Sequence, residues 1–561
     1  MSLKNIVTIL TVAVSLSGCN YLDFDESEGK TKEEAYSYFD NITRMTSAVY
    51  RKVPVDYGVI GGALREAATD NAVYTWDNNA VYQIYSDAWS PIRLVDDQWS
   101  SFYEVIHDAN SFLENYTEEN LERLKWDPNY PENIKKARMY VNEVKVLRAF
   151  YHFELAKRYG DIPLMTRTYG LDEINHLKKT SFDKVIEFVV SEIDAVAADL
   201  PINQENFYKE FGRVTRGAAL AIKARALLYA ASPLFAGTGD ASAKWQAAAK
   251  AAYEVIALNQ YSLPNIDKDQ LYLKDGGNLV LDSPQLIFEV RGTAKSDFEA
   301  RNLPIGFEGA NGGNTPTQNF VDDFEMADGT PFDWSNPDHV ANMYYDSKGN
   351  PTRDPRLYLN VICDGMTYAK TVVEPLEGGK HGLPITGATM TGYYLKKLMN
   401  ETVSLDPVKP VKKEHHFPTF RYAEILLNYA EAMNEWLGPD ATDDANGCPK
   451  SARDVLNEVR AAANMKNVTD TDRGEFGKKV RKERRIELAF EDHRFWDIRR
   501  WKIGSVVENI YGVNKVNGVY QKRLIQNRVW KDKMYLYPIP QKEIYVNSNL
   551  TQNPGWDDGN N

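Results

Sequence analysis

Between Gly61 and Pro91 the chain reads GGALREAATDNAVYTWDNNAVYQIYSDAWSP, a stretch that mixes two kinds of side chain. Trp76, Tyr82, Tyr85 and Trp89 offer flat apolar faces, each with one polar handle, while Asp70, Asn71, Asp77, Asn78 and Asn79 offer donors and acceptors beside them. A neutral sugar has an apolar C–H face rimmed by hydroxyls, so this mixture suits sugar recognition. The contacts expected from this loop are Asp70, Asn71, Trp76, Asn78, Tyr82 and Trp89. A second cluster, Phe332-Asp333-Trp334 with Tyr344-Tyr345, would supply Trp334 and Tyr344 as a facing wall, with Arg353 adding a fork of hydrogen-bond donors. Both walls are expected to face one groove. The competing reading is structural: Trp89, next to Pro91, would stabilise its loop, and Arg353, within RDPRL, would be framework.

Catalytic and metal chemistry finds less support. The eight His residues form no HExxH or other close metal pattern, and there is no GxSxG elbow, Walker loop or GxGxxG. His152 falls inside an apolar helical pattern and reads as a satisfied core residue, whereas His415-His416 are expected at the surface. GANGGN at 309–314 lacks the strand-to-helix context of a phosphate cradle, and neither Asp322-Asp323 nor Asp328-Gly329 completes a calcium loop. No cofactor is expected, and a structural calcium stays open. So does hydrolysis, because a glycosidase carboxylate pair is spatial and invisible in sequence. With Cys only at 19, 363 and 448, no disulfide framework is possible, and one bridge between Cys363 and Cys448 is the most the chain could form.

The loops need a scaffold, and the periodicity of the chain supplies one. Val141, Val144, Leu147, Tyr151 and Leu155 recur at helical spacing, with Phe150 and Phe153 widening the stripe, and Gly160 and Pro163 end the run. This central helix pairs with 181–200. The same grammar repeats at 31–53 with 96–116, at 214–231 with 244–258, and at 420–436 with 451–464. Thr31 and Glu34 form a capping-box pattern at the first of these. A charge-dense helix is expected over 479–502, with Arg484–Glu487 and Glu491–Arg494 spaced for pairing along it. The fold class is therefore mainly α, a tetratricopeptide-like helical-repeat scaffold. It divides into a helical region at 31–264, an irregular insertion of loops and short strands at 265–416, and a second helical region with an extended tail at 417–561.

At the N-terminus, Lys4 and an apolar run from Ile6 to Val14 read as an export signal, and Leu16-Ser17-Gly18-Cys19 resembles a bacterial lipobox. That resemblance implies removal of residues 1–18 and acylation of Cys19, which would fix the chain to a membrane. An ordinary signal peptide with an accidental Cys is the alternative. Asp23, Asp25, Glu26 and Glu28, in the tether at 19–30, resemble the surface-export signal of some Gram-negative lipoproteins, although acidic residues also make a plain solvated linker. A net charge of -13 argues against nucleic acid as partner.

Eight segments in order then resemble the SusD/RagB family of outer-membrane nutrient-binding lipoproteins: LSGC, DDQWSSFYEVIHDANSFL, KVLRAFYHFELAKRYGDIPL, RVTRGAALAIKARALLYAASPL, RDPRL, FPTFRYAEILLNYAEAMNE, RKERRIELAFEDHRFWDIRRW and YLYPIPQKEI. The resemblance implies a non-catalytic, cell-surface protein. It would capture oligosaccharides, or in some members peptides, and act as a lid on a SusC-like TonB-dependent transporter. It carries over no ligand residue, so the site residues above rest on local chemistry alone. A glycoside hydrolase and a purely structural helical-repeat adaptor are the other functions weighed.

Overall fold

The computed structural model describes residues 31–203, 210–237, 239–266 and 283–557. Cys19, the export signal and the acidic tether lie outside these residues. Ten helices build the scaffold: α1 (Phe39–Val49), α2 (Trp99–Asn115), α3 (Tyr130–Tyr159), α4 (Phe182–Asp194), α5 (Arg216–Ala231), α6 (Ala241–Ile256), α7 (Tyr422–Leu437), α8 (Ala452–Ala462), α9 (Arg473–Glu487) and α10 (Arg494–Arg500). Helix α1 packs on α2, α3 on α4, α5 on α6 and α7 on α8, which are the pairs expected from periodicity. Contacts of α2 with α3, α4 with α5 and α6 with α7 join these pairs into one array. Each pair buries the face its neighbour leaves open, so the stack shares one continuous core. Its centre is α3, where Leu147, Phe150, Tyr151, Phe153 and Leu155 are fully buried and Gly160 caps the end at φ 71°.

Two helices depart from expectation. The Thr31–Glu34 capping box is present but caps only the single turn Lys32–Ala35. Ser37 Oγ donates to the Glu33 carbonyl at 2.6 Å and Asn41 Nδ2 to that of Ala35 at 2.9 Å, so side chains take acceptors that a continuing helix would use. The charge-dense segment is likewise two helices, α9 and α10, separated by a turn in which Phe490 and Asp492 have positive φ. The expected pairings along one helix do not form. Arg484 pairs instead with Asp497, Glu487 with Arg356 and Arg421, Glu491 with Lys397 and Arg421, and Arg494 with Asp70.

Among the described residues the strands pair antiparallel in twos, and the pairings longer than two residues are β1 (Ala72–Tyr74) with β3 (Asn314–Pro316), β2 (Leu286–Val290) with β4 (Phe417–Arg421), and β5 (Asn509–Val516) with β6 (Val519–Asn527). The middle of the chain has its own core, in which Phe320, Phe324, Leu357, Tyr393 and Tyr394 pack with Phe490 from the turn before α10. Cys363 lies in this core and Cys448 beside the helices, both buried and free, so the one conceivable bridge is not made. His152 is a satisfied core residue: Nδ1 meets the Arg148 carbonyl at 2.8 Å and Nε2 accepts from the Met165 amide at 3.1 Å. Burial holds its pKa down at about 4. The surface expectation fails for His415-His416. His416 is buried and His415 Nε2 meets Glu299 at 2.8 Å, because both precede β4, a strand buried along its length.

Candidate functional site

The base of the 61–91 loop is bolted down by charge. Arg494 forks onto Asp70 at 2.9 and 2.8 Å, and Arg485 reaches the same carboxylate at 2.9 Å and the Asn71 side-chain oxygen at 2.7 Å. Asn71 donates at 2.8 Å to Glu66, whose other oxygen accepts the Phe490 amide at 2.6 Å. Burial would raise the Asp70 carboxyl, yet the two guanidiniums outweigh it and hold it below the usual range. Glu66 has no such cation in contact, and burial pushes it up to about 8. Asp70 and Asn71 are thus withdrawn from any ligand. The sequence expectation for both is corrected: a buried ion pair that lost either partner would leave an uncompensated charge, so these groups stay locked together.

Above this base the chain pairs as β1 with β3 and then turns outward at Trp76. Pairing of Tyr74 with Asn314 sets the next residues beside the 311–313 turn. Thr75 Oγ1 donates to the Gly312 carbonyl at 2.5 Å, and the Trp76 indole N–H donates to the Asn311 carbonyl at 2.7 Å. A third segment closes the junction at Gly387, whose φ is 79° and where a Cβ would lie 2.8 Å from the Trp76 ring. Trp76 is therefore half-buried and fixed in orientation, with Asp77, Asn78 and Asn311 exposed around it. Tyr82 is half-buried behind it and donates to the Tyr74 carbonyl at 2.9 Å, so its ring braces the loop. Trp89 is 1% exposed and meets Tyr537 and Trp556 edge-on at 4.8 and 5.2 Å, so as a ligand contact it too is corrected. The aromatic tail supplies a core for this indole, which local sequence does not reveal.

The second wall lies beside an open cavity of about 550 Å³ lined by Trp334, Val340, Met343, Tyr344, Tyr345, Lys515 and Tyr520, among others. Trp334 is half-buried and donates its N–H at 2.9 Å to Asp322, which Lys522 also contacts at 2.7 Å. Tyr344 is 2% exposed and its hydroxyl meets that of Tyr393 at 2.6 Å, which leaves only its ring to floor the cavity. Arg353 is 1% exposed, spends its fork on the Val321 and Phe324 carbonyls at 2.7 and 2.6 Å, and stacks on Phe332 at 4.2 Å. It is framework and not a ligand contact. No residue of the 61–91 loop lines this cavity, so the two walls do not converge on one lined space. Missing from the sequence reading is the β5–β6 hairpin, which brings Lys515, Val519 and Tyr520 to the cavity. Asn517-Gly518 between alternating residues is the signal that marks such a hairpin.

Comparisons with known proteins now bear on this arrangement. A family model described as "SusD family" matches residues 288–556, and one described as "Starch-binding associating with outer membrane" matches residues 20–228. The chain belongs to the SusD family. SusD-like protein P38 of Formosa agariphila is 24% identical over 81% of this chain and 79% of its own length. A solved SusD-like protein of Bacteroides fragilis superposes with a TM-score of 0.76 at 25% identity, covering 94% of this chain and 99% of its own. A second solved protein of that organism, described as a SusD-like carbohydrate-binding protein, gives 0.74 at 25% identity, covering 92% and 100%. The helical array is thus the SusD scaffold. Among the described residues no three His, Cys, Asp or Glu side chains are grouped to hold a metal ion.

Proposed function

We propose that this SusD-family chain is a cell-surface lipoprotein, anchored through Cys19 in the outer membrane, that captures oligosaccharides. It passes them to a SusC-like TonB-dependent transporter and serves as its lid. The observation that carries the binding step is Trp76: an indole fixed by its own N–H and by Gly387, with Asp77, Asn78 and Asn311 exposed beside it. A ring held in this way stacks on a sugar face with little ordering cost, and short polar side chains beside it serve the hydroxyls. Trp334 and Tyr345, at the 550 Å³ cavity, offer a second aromatic surface. The B. fragilis relative described as carbohydrate-binding supports the same class of ligand. No catalytic step is assigned. As a lid, the protein must bind ligand differently in its open and closed states, since equal affinity shifts nothing.

Affinity electrophoresis against a panel of polysaccharides tests the ligand class. Retardation in at least one glycan gel, without release of reducing ends, is the expected result. Release of reducing ends would replace binding by hydrolysis, and retardation by no glycan would reject the reading.

A further inference from the structure

All eleven Trp residues lie in the described chain, and Trp126 alone is exposed, at 85%. It is not on a loose loop. The turn Glu119–Leu124 is pinned by the fully buried Leu121, and the Asp127 amide donates to the Leu124 carbonyl at 2.8 Å. The Tyr130 amide then donates to the Asp127 carbonyl at 2.9 Å, and α3 begins. Tyr130 meets Phe39 edge-on at 5.9 Å, so this corner is docked on the start of α1. There Tyr38 is 46% exposed, with the Arg123 guanidinium over its ring at 4.4 Å, and Lys125 Nζ lies 5.5 Å from the Trp126 ring. Two exposed aromatic rings on a hydrogen-bonded backbone, each accompanied by a long cation, thus mark the corner where the described chain begins.

We infer that this corner, Tyr38, Arg123, Lys125 and Trp126, rests on the lipid surface and sets the tilt of the anchored protein. The inference rests on the proposed anchor at Cys19. Residues 19–30 span at most about 40 Å when fully extended, which keeps this entry corner close to the bilayer. Trp and Tyr favour the membrane interface, where the ring is buried and its polar edge stays wet, while Lys and Arg lay their stems along apolar surface and keep the charge in water. Charge is balanced over 118–138, with Glu118, Glu119, Glu122, Asp127 and Glu132 against Arg123, Lys125, Lys135, Lys136 and Arg138, while beside Tyr38 the exposed Glu33, Glu34 and Asp40 outnumber Lys32. Headgroup charge therefore adds no attraction, the rings carry the contact, and a neutral bilayer suffices to test it. One exposed indole would not recruit a free protein. Tethering makes the encounter intramolecular, so a weak contact suffices to orient the body.

Trp126 is the most exposed indole, and Trp76, Trp334, Trp436 and Trp530 are half-buried, so the difference in iodide quenching between wild type and Trp126→Ser isolates its share. The full-length acylated chain in phosphatidylcholine vesicles containing brominated acyl chains should lose iodide quenching and gain bromine quenching. Both changes should vanish in Trp126→Ser, whose vesicle flotation is unchanged. Flotation of the wild type with no bromine quenching would overturn this inference and leave the anchor standing. Flotation that survives Cys19→Ala, or no flotation of the wild type, would overturn the anchor and this inference with it. Protection of Trp126 that appears only on adding a partner protein would assign the corner to that protein and equally overturn the lipid contact.

Discussion

Trp76 and Trp89 share one irregular loop, yet one is held half-exposed by a carbonyl and the other is sealed among Tyr537 and Trp556. The same division runs through the polar candidates: Asp77 and Asn78 face solvent, whereas Asp70 and Asn71 are spent on Arg485 and Arg494. Asp70→Asn leaves two buried guanidiniums short of a counter-charge, a defect worth about 3–5 kcal/mol. Urea denaturation should show a loss of that size, with sugar retention unchanged while the protein is folded. Near-wild-type stability would mean that the clamp is not what holds the loop. Trp89→Ala should likewise cost about 3–5 kcal/mol through lost packing, and not act through lost ligand contact.

At the scale of elements, the site depends on how three segments meet at Trp76. Gly387→Ala puts a methyl against the indole at a positive φ, a strain of about 1–2 kcal/mol before any clash is counted. It should weaken glycan retention more than it lowers the melting temperature, and the reverse order would deny the junction its role. The β5–β6 hairpin turns at Asn517 and Gly518, with φ of 51° and 82°, values that suit Asn and Gly and disfavour β-branched residues. Gly518→Val should speed proteolysis near 515–520 while leaving global unfolding nearly unchanged. These elements also show what a sequence can convey. The helix pairs were legible because an apolar stripe of period 3.6 records burial directly, as at Val144, Leu147 and Tyr151. Trp76 and Trp334 were legible as aromatic candidates because indoles amid Asp and Asn have few local partners. The fates of Asp70, Trp89 and Arg353 were not, since their partners, Arg494, Trp556 and the Val321 carbonyl, come from distant sequence or depend on backbone placement. The break between α9 and α10 escaped for a related reason: its charges look complementary along one helix, and only the fold shows that they reach across to Asp70, Arg421 and Arg356.

For the whole molecule, buried ion pairs make stability depend on pH with a definite sign. Burial would raise Glu154 and Glu431, but Lys157 and Arg158 outweigh it at the first and Arg500 at the second, holding each at about 2 against an ordinary 4.5. Their contribution is complete above pH 4.5 and is lost as pH falls through 2, together at up to about 3 kcal/mol per pH unit. Glu66 works the other way: raised to about 8, its contribution is complete below pH 4.5, is lost as pH rises from there to 8, and changes no further above that. Melting temperature should therefore peak near pH 5, fall steeply below pH 4, decline between about pH 5 and 8 and level off above that; a steady rise from pH 5 to 9 would contradict this. Such a scaffold presents Trp76 at a fixed place on its surface. Isothermal titration of wild-type and Trp76→Ala protein with an oligosaccharide of the retained glycan tests that claim most directly. The account predicts at least a tenfold loss of affinity, about 1.4 kcal/mol or more, with an unchanged melting temperature. Equal affinity in a folded Trp76→Ala protein would contradict it.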